Sequence, residues 1–216
     1  MIIVGSVVAI GIFLFVGWAV ATEMFQHRAW RRRVESGDVA IVAALIEEAF
    51  AGWRHARPPR GTPTTLWAGV QGVQLVAVET DHATVSSSAE GEFRTEDGRR
   101  VQVASALDEA IALAAKLTDM MLYDVPNLRL ASVRVDIYTT FTGGDGTPVQ
   151  QPILTTSAAR ATADALDWEA LTAAEVLGRF ETRYERNAAG QATPIVLAPP
   201  EGQTPQSLTP ATAGAL

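Results

Sequence analysis

Cysteine is absent from the 216 residues. That excludes disulfides, thiolate zinc sites, iron–sulfur clusters and cysteine nucleophiles together. Lysine is nearly absent too: Lys116 is the only one, so chemistry built on a lysine amine has a single position to use. Three histidines, His27, His55 and His82, stand far apart with no H-x-x-H or H-E-x-x-H spacing. G-x-S-x-G and S-x-x-K nucleophile motifs are missing as well. The glycines of Gly143-Gly144-Asp145-Gly146 are not followed by the Gly-Lys-Ser/Thr of a phosphate loop, and they lead into a strand-like segment, so they read as a hairpin turn. Nothing in the sequence calls for a cofactor or a metal, and the reading leans away from an enzyme.

What is present begins with an apolar run. From Ile2 to Thr22 the chain carries no charge, and about 20 such residues cover the roughly 30 Å hydrocarbon layer of a bilayer as a helix. The spacing predicts a transmembrane helix over 1–25 and a basic juxtamembrane segment over 26–37, with Arg28, Arg31, Arg32 and Arg33 on its cytoplasmic side. Trp18 and Trp30 straddle the inner boundary, where an indole keeps its ring in the apolar zone and its N–H among headgroups. A cell-membrane location follows, with the N-terminus outside, the rest cytoplasmic and the lipid bilayer as one partner. Ala19-Val20-Ala21 resembles a signal-peptide cleavage site, but no Lys or Arg precedes the run and the basic cluster lies after it. No ionisable residue sits mid-run, which argues against a channel or proton path carried by this segment.

Residues 38–187 read as one α+β domain. Asp38 can cap a helix whose apolar positions Val39, Val42, Ile46, Phe50 and Trp53 recur at threes and fours, over about 39–55. From 64 to 104 the period changes to strands: Val73–Val78, a turn at Asp81-His82, a Ser-rich stretch through Ser86-Ser87-Ser88, and a hairpin about Asp97-Gly98, together a meander of about three strands. Ser105 and Asp108 form a capping box for a second helix to about Tyr123. Strict alternation over Val133–Phe141 and the glycine turn predict a further hairpin, with Pro152 placing its second strand at an edge or a bulge. Thr172 and Glu175 open a third helix through about Tyr184. The Pro-, Thr- and Ala-rich tail over 188–216 is expected to be disordered or extended over a partner. The expected order is therefore α-β-β-β-α-β-β-α, with a mostly antiparallel sheet of about five strands and three helices.

Two further signals bear on chemistry. His82 beside Asp81 is the nearest approach to a catalytic dyad, and Asp81, Glu90, Glu92 and Gln102 gather acids and an amide along the meander. The order α-β-β-β-α-β with Gln102 in Val101-Gln102-Val103-Ala104 resembles the core of restriction-endonuclease-like nucleases, which implies a metal bound by those acids and a water-polarising lysine. The lysine position holds Ala104. Beyond the arginine cluster, residues 34–216 carry 13 basic and 23 acidic side chains, a net charge of −10, which repels phosphate backbones and disfavours nucleic acid as a partner. The expectation is a single-pass accessory or interaction subunit whose cytoplasmic domain docks on a larger membrane-associated assembly through a protein partner. A membrane-tethered hydrolase and a small-ligand sensor are the alternatives.

Overall fold

The computed structural model describes residues 38–205, Asp97 and Asp145 and the side chains of Arg94, Glu96 and Arg100 apart. The expected span over 1–25, with Trp18, and the segment holding Arg28, Trp30, Arg31, Arg32 and Arg33 lie outside the described residues. Among the described residues no helix is long and apolar enough to cross a membrane.

Helix α1 (Val39–His55) starts where the Asp38 carboxylate accepts from the Ala40 N–H at 3.0 Å, satisfying one of the unpaired amides of the first turn. Its buried stripe is Val42, Ala43, Leu45, Ile46, Ala49 and Phe50. Helix α2 (Thr64–Gln71) follows Pro63 and buries Trp67, Gly69 and Val70. The Trp67 indole N–H donates to the Ala56 carbonyl at 3.1 Å, which fixes α2 against the end of α1. Helix α3 (Ala106–Asp119) carries the expected capping box, the Asp108 N–H donating to Ser105 Oγ at 3.1 Å and the Ser105 N–H to Asp108 Oδ2 at 3.3 Å. It runs on into a π-helical turn, Met120–Asp124.

Six strands form the main sheet in the order β1-β2-β5-β6-β7-β8: β1 (Gln74–Val78), β2 (His82–Ser88), β5 (Ser132–Thr142), β6 (Pro148–Ala159), β7 (Glu181–Arg186) and β8 (Ala192–Thr193). Between them β3 (Glu92–Glu96) and β4 (Arg99–Ala104) form a separate two-stranded ribbon. The pair β2–β5 is parallel and every other pair is antiparallel. A parallel neighbour cannot be reached by a tight turn, and α3 supplies the crossover between β2 and β5. Alternation along β5 sends Val133, Val135 and Ile137 to one face, where they join Ala83 and Val85 of β2 and Leu154 and Ala158 of β6. Leu107, Ala110, Leu113, Ala114 and Leu117 of α3 complete that core. Each fully buried Leu there contributes about 1.5–3 kcal/mol. Short helices α4 (Arg160–Ala163) and α5 (Ala173–Leu177) close the remaining gaps.

The expected sheet needs correction on four counts. It is a mixed sheet of six strands rather than about five, four of its five pairs antiparallel and one parallel, because the third and fourth strands pair only with each other and β5 takes the place beside β2. Residues 64–71 are helical, since Trp67 and Val70 recur at helical spacing and Gly69 lets α2 approach so closely that an added Cβ would lie 2.5 Å from Leu113. The third helix stops at Leu177, and Glu181–Arg186 is strand β7, its Thr182 hydroxyl donating to the Leu177 carbonyl at 2.7 Å. Lastly, the tail through residue 203 lies extended over the chain's own sheet, with the Ile195 N–H donating to the Pro152 carbonyl at 2.9 Å and Gln203 bridging Val78.

Leu117→Ala, at a fully buried site, is expected to lower unfolding stability by about 2–5 kcal/mol, whereas Val101→Ala on the exposed ribbon changes it by under about 0.5 kcal/mol in urea titration. Burial, with the nearby Asp119 charge, raises the Asp124 carboxyl above its ordinary 3.8. Ionisation of Asp124 therefore opposes folding as pH rises from 3.8 through the raised value. Asp124→Asn should raise the thermal midpoint at pH 7 and leave it unchanged well below pH 3.8, measured by calorimetry.

Candidate functional site: the polar face of the sheet and its strap

The face of β5 opposite the helices carries Arg134, Asp136, Tyr138 and Thr140. Neighbouring strands continue it with His82, Thr84, Ser86 and Ser88 on β2 and Thr155 and Ser157 on β6. Arg134 Nε donates to Asp136 Oδ1 at 2.9 Å, and the two side chains are only 11% and 5% exposed. Thr155 Oγ1 donates to the same carboxylate oxygen at 2.6 Å. A buried ion pair is stable only when its remaining donors and acceptors are met. Here they are: among the described residues no buried side-chain nitrogen or oxygen lacks a hydrogen-bond partner. Burial raises the Tyr138 phenol above its ordinary 10.0, with the Asp136 charge adding to the shift, so it stays neutral.

Residues 194–203 cross this face as an extended strap. Arg134 Nη2 donates to the Ala198 carbonyl at 2.9 Å and Nη1 to that of Pro199 at 3.3 Å. From β7, Arg183 donates to the Val196 carbonyl. At the far end the strap pairs with the outer edge of β1, Val78 N–H to Gln203 O and Gln203 N–H to Val78 O, both at 2.9 Å. Gly202 makes that docking possible. Its φ is +96°, and a Cβ there would lie 2.6 Å from the Val78 carbonyl oxygen. Ile195, 6% exposed, is the strap's one buried side chain.

Space remains under the strap. A groove of about 430 Å³ is lined by Arg134, Thr155, Ser157, Phe180, Arg183 and Ala198. A second, of about 610 Å³, adjoins it beside His82, Ser132, Arg179 and Glu201. His82 Nδ1 lies 2.9 Å from Ser132 Oγ, and its Nε2 lies 3.4 Å from Thr84 Oγ1.

The residues singled out from the sequence fall elsewhere. Asp81 is exposed in the turn before β2, where its carbonyl oxygen accepts from the Ala131 N–H at 2.7 Å. Glu90 lies past the other end of β2, roughly 30 Å of extended chain away, and its carboxylate accepts from Thr140 N–H at 3.2 Å and Thr140 Oγ1 at 2.8 Å. Glu92 opens β3 opposite Ala104, and exposed Gln102 donates to the Ala104 carbonyl at 3.3 Å. Glu90, Glu92 and Gln102 thus sit at the foot of the ribbon, with Asp81 at the opposite end of the sheet. Among the described residues no group of three or more His, Cys, Asp and Glu side chains is arranged to hold a metal. In the sequence Arg183 reads with Arg179 and Arg186 as a solvated charged face, and neither it nor Arg134 marks a site, because their role depends on backbone carbonyls. The one signal available was the alternation that puts Arg134 and Asp136 on a single face of a long strand.

Asp136→Ala strands a buried guanidinium and is expected to lower stability by about 3–5 kcal/mol. Adding Arg134→Met should recover much of the loss, a non-additivity read from a double-mutant cycle in urea. Independent losses that simply sum would contradict the pairing. No protein-family model, curated protein or solved structure matches the chain.

Proposed function

We propose that the chain is an accessory subunit attached to a membrane through its apolar N-terminal segment, with the folded domain on the cytoplasmic side docking on a membrane-associated assembly through a protein partner. One observation carries this reading: the polar face of the sheet holds an extended segment through that segment's main-chain groups. Such recognition suits protein–protein docking, in which main-chain hydrogen bonds give affinity and a few pockets give selectivity. Two features of the sequence support the membrane attachment, the uncharged run Ile2–Thr22 and the Arg28, Arg31, Arg32 and Arg33 cluster after it. The net charge of −10 over residues 34–216 favours a protein over a nucleic acid as the partner. The acids and amide of a hydrolase centre, Asp81, Glu90, Glu92 and Gln102, are divided between two ends of the sheet, which gives that chemistry no common site.

The full chain, tagged and held at native levels, should stay in the membrane pellet through an alkaline carbonate wash. Its domain should resist protease added outside intact cells. After mild detergent extraction it should run in a stoichiometric complex well above monomer size on a native gel. A lone monomer, digestion from outside, or hydrolytic turnover by the purified chain that Glu90→Gln abolishes would each overturn the proposal.

A further inference from the structure

We propose that the groove formed by Arg134, Arg183 and the β6 backbone is a docking site for an extended, proline-containing peptide of a protein partner, and that Pro194–Gln203 is its occupant in cis. The inference rests on the accessory reading and names the chemistry of the partner.

The bonding pattern carries the argument. Arg134 and Arg183 donate to the carbonyls of Val196, Ala198 and Pro199, and the strap's ends are fixed by backbone bonds to Pro152 and Val78. An extended polyproline-like chain has no internal hydrogen bonds, so its carbonyls point outward and are free to accept. Pro194, Pro199 and Pro200 have no N–H, so at those positions the strap brings no donor that would need a partner. A fixed arginine fork facing such a row of carbonyls suits an extended main chain, and Asp136, itself 5% exposed, holds the Arg134 fork in place as a positioning residue.

The strap is also held the way a ligand is held. Apart from buried Ile195 and half-buried Leu197 its side chains contribute little: Val196 is 86% exposed, and Ala198, Pro199, Pro200 and Glu201 are exposed as well. Ile195 is buried outside the main hydrophobic cluster. Small Ala198 leaves the 430 Å³ groove beneath it open, room that a partner segment with the same backbone and a larger side chain would fill. A segment tethered in cis has an effective concentration of the order of millimolar, so it blocks a weak partner and yields to one that fills the groove better.

Release of the strap tests the proposal without touching the core. Gly202→Val cannot keep the +96° φ and would drive its Cβ into the Val78 carbonyl, so it should free the strap's far end. The probe is a fluorescein-labelled peptide with the sequence of residues 192–205, added to the full chain in detergent and followed by anisotropy. Saturable binding is expected for Gly202→Val and at least a tenfold weaker response for the unaltered chain. Arg183→Gln in the Gly202→Val background should weaken binding at least tenfold, and a peptide with Asp in place of Ile195 should not bind. Ile195→Asp in the chain provides a second route to release and should behave as Gly202→Val does.

Two released variants that keep native circular dichroism yet bind no peptide, or binding indifferent to Arg183→Gln, would overturn the groove assignment. That failure would leave the accessory reading standing, because the native-gel measurement depends on none of these residues. A lone monomer on that gel together with sound peptide binding would do the reverse.

Discussion

A guanidinium largely removed from water needs acceptors for its N–H groups, and Arg134, at the centre of the sheet, finds one for each of its three nitrogens. Its Nε takes the Asp136 carboxylate and its two terminal nitrogens take carbonyls of the strap. Much of the architecture follows. Helices with apolar stripes cannot pack on a face that carries a buried ion pair, so α1, α2 and α3 serve the other face, where Val133, Val135 and Ile137 of the same strand point. The polar face needs a cover rich in acceptors and poor in donors. A proline-bearing extended segment meets that description better than a helix, whose carbonyls are already bonded along its own axis.

This division gives the domain one face for folding and one for recognition. The apolar side is closed by large, fully buried residues such as Phe50, Leu117 and Leu154. The other side is closed by hydrogen bonds, buried Ile195, half-buried Leu197 and a glycine hinge, all made by a segment with far less apolar burial than the core. Contacts of that kind open locally far more readily than a core does. The strap also pairs with the end of the free edge of β1 at Val78, satisfying the N–H and C=O there that would otherwise be open to another chain.

Much of the fold was legible because its signals are local. Helix α1 and helix α3 showed in apolar residues at threes and fours behind Asp38 and Ser105, and the β5–β6 hairpin in the alternation of Val133–Phe141. Pro152 lies where the β5–β6 register slips, at a bulge that tolerates its missing N–H. Long-range packing hid the rest. Thr64, Thr65 and Val70 favour strands by propensity, yet α2 is helical because Gly69 lets it nest on Leu113 and Trp67 ties it to Ala56. Val176, Leu177, Phe180 and Tyr184 fit a helical stripe, but Gly178 interrupts it, and Thr182 and Tyr184 instead meet Thr156 and Leu154 across β6. The parallel β2–β5 pair depends on where α3 delivers the chain, which no pattern within either strand records. The strap was least legible of all. Its bonds run through the main chain, and backbone recognition leaves almost no mark on side-chain identity beyond a few prolines and one glycine.

The central claim is that the strap is a separable occupant of the sheet's polar face and the core stands without it. Native-state hydrogen exchange at the Ile195 and Gln203 amides tests this most directly, compared with Val135 and Ile137 of β5. The account predicts slowed exchange at both strap amides with an opening free energy well below that of the β5 amides, and Gly202→Val should abolish the protection at Gln203 while leaving β5 unchanged. Strap amides that exchange only with global unfolding, or that show no protection in the unaltered chain, would contradict it.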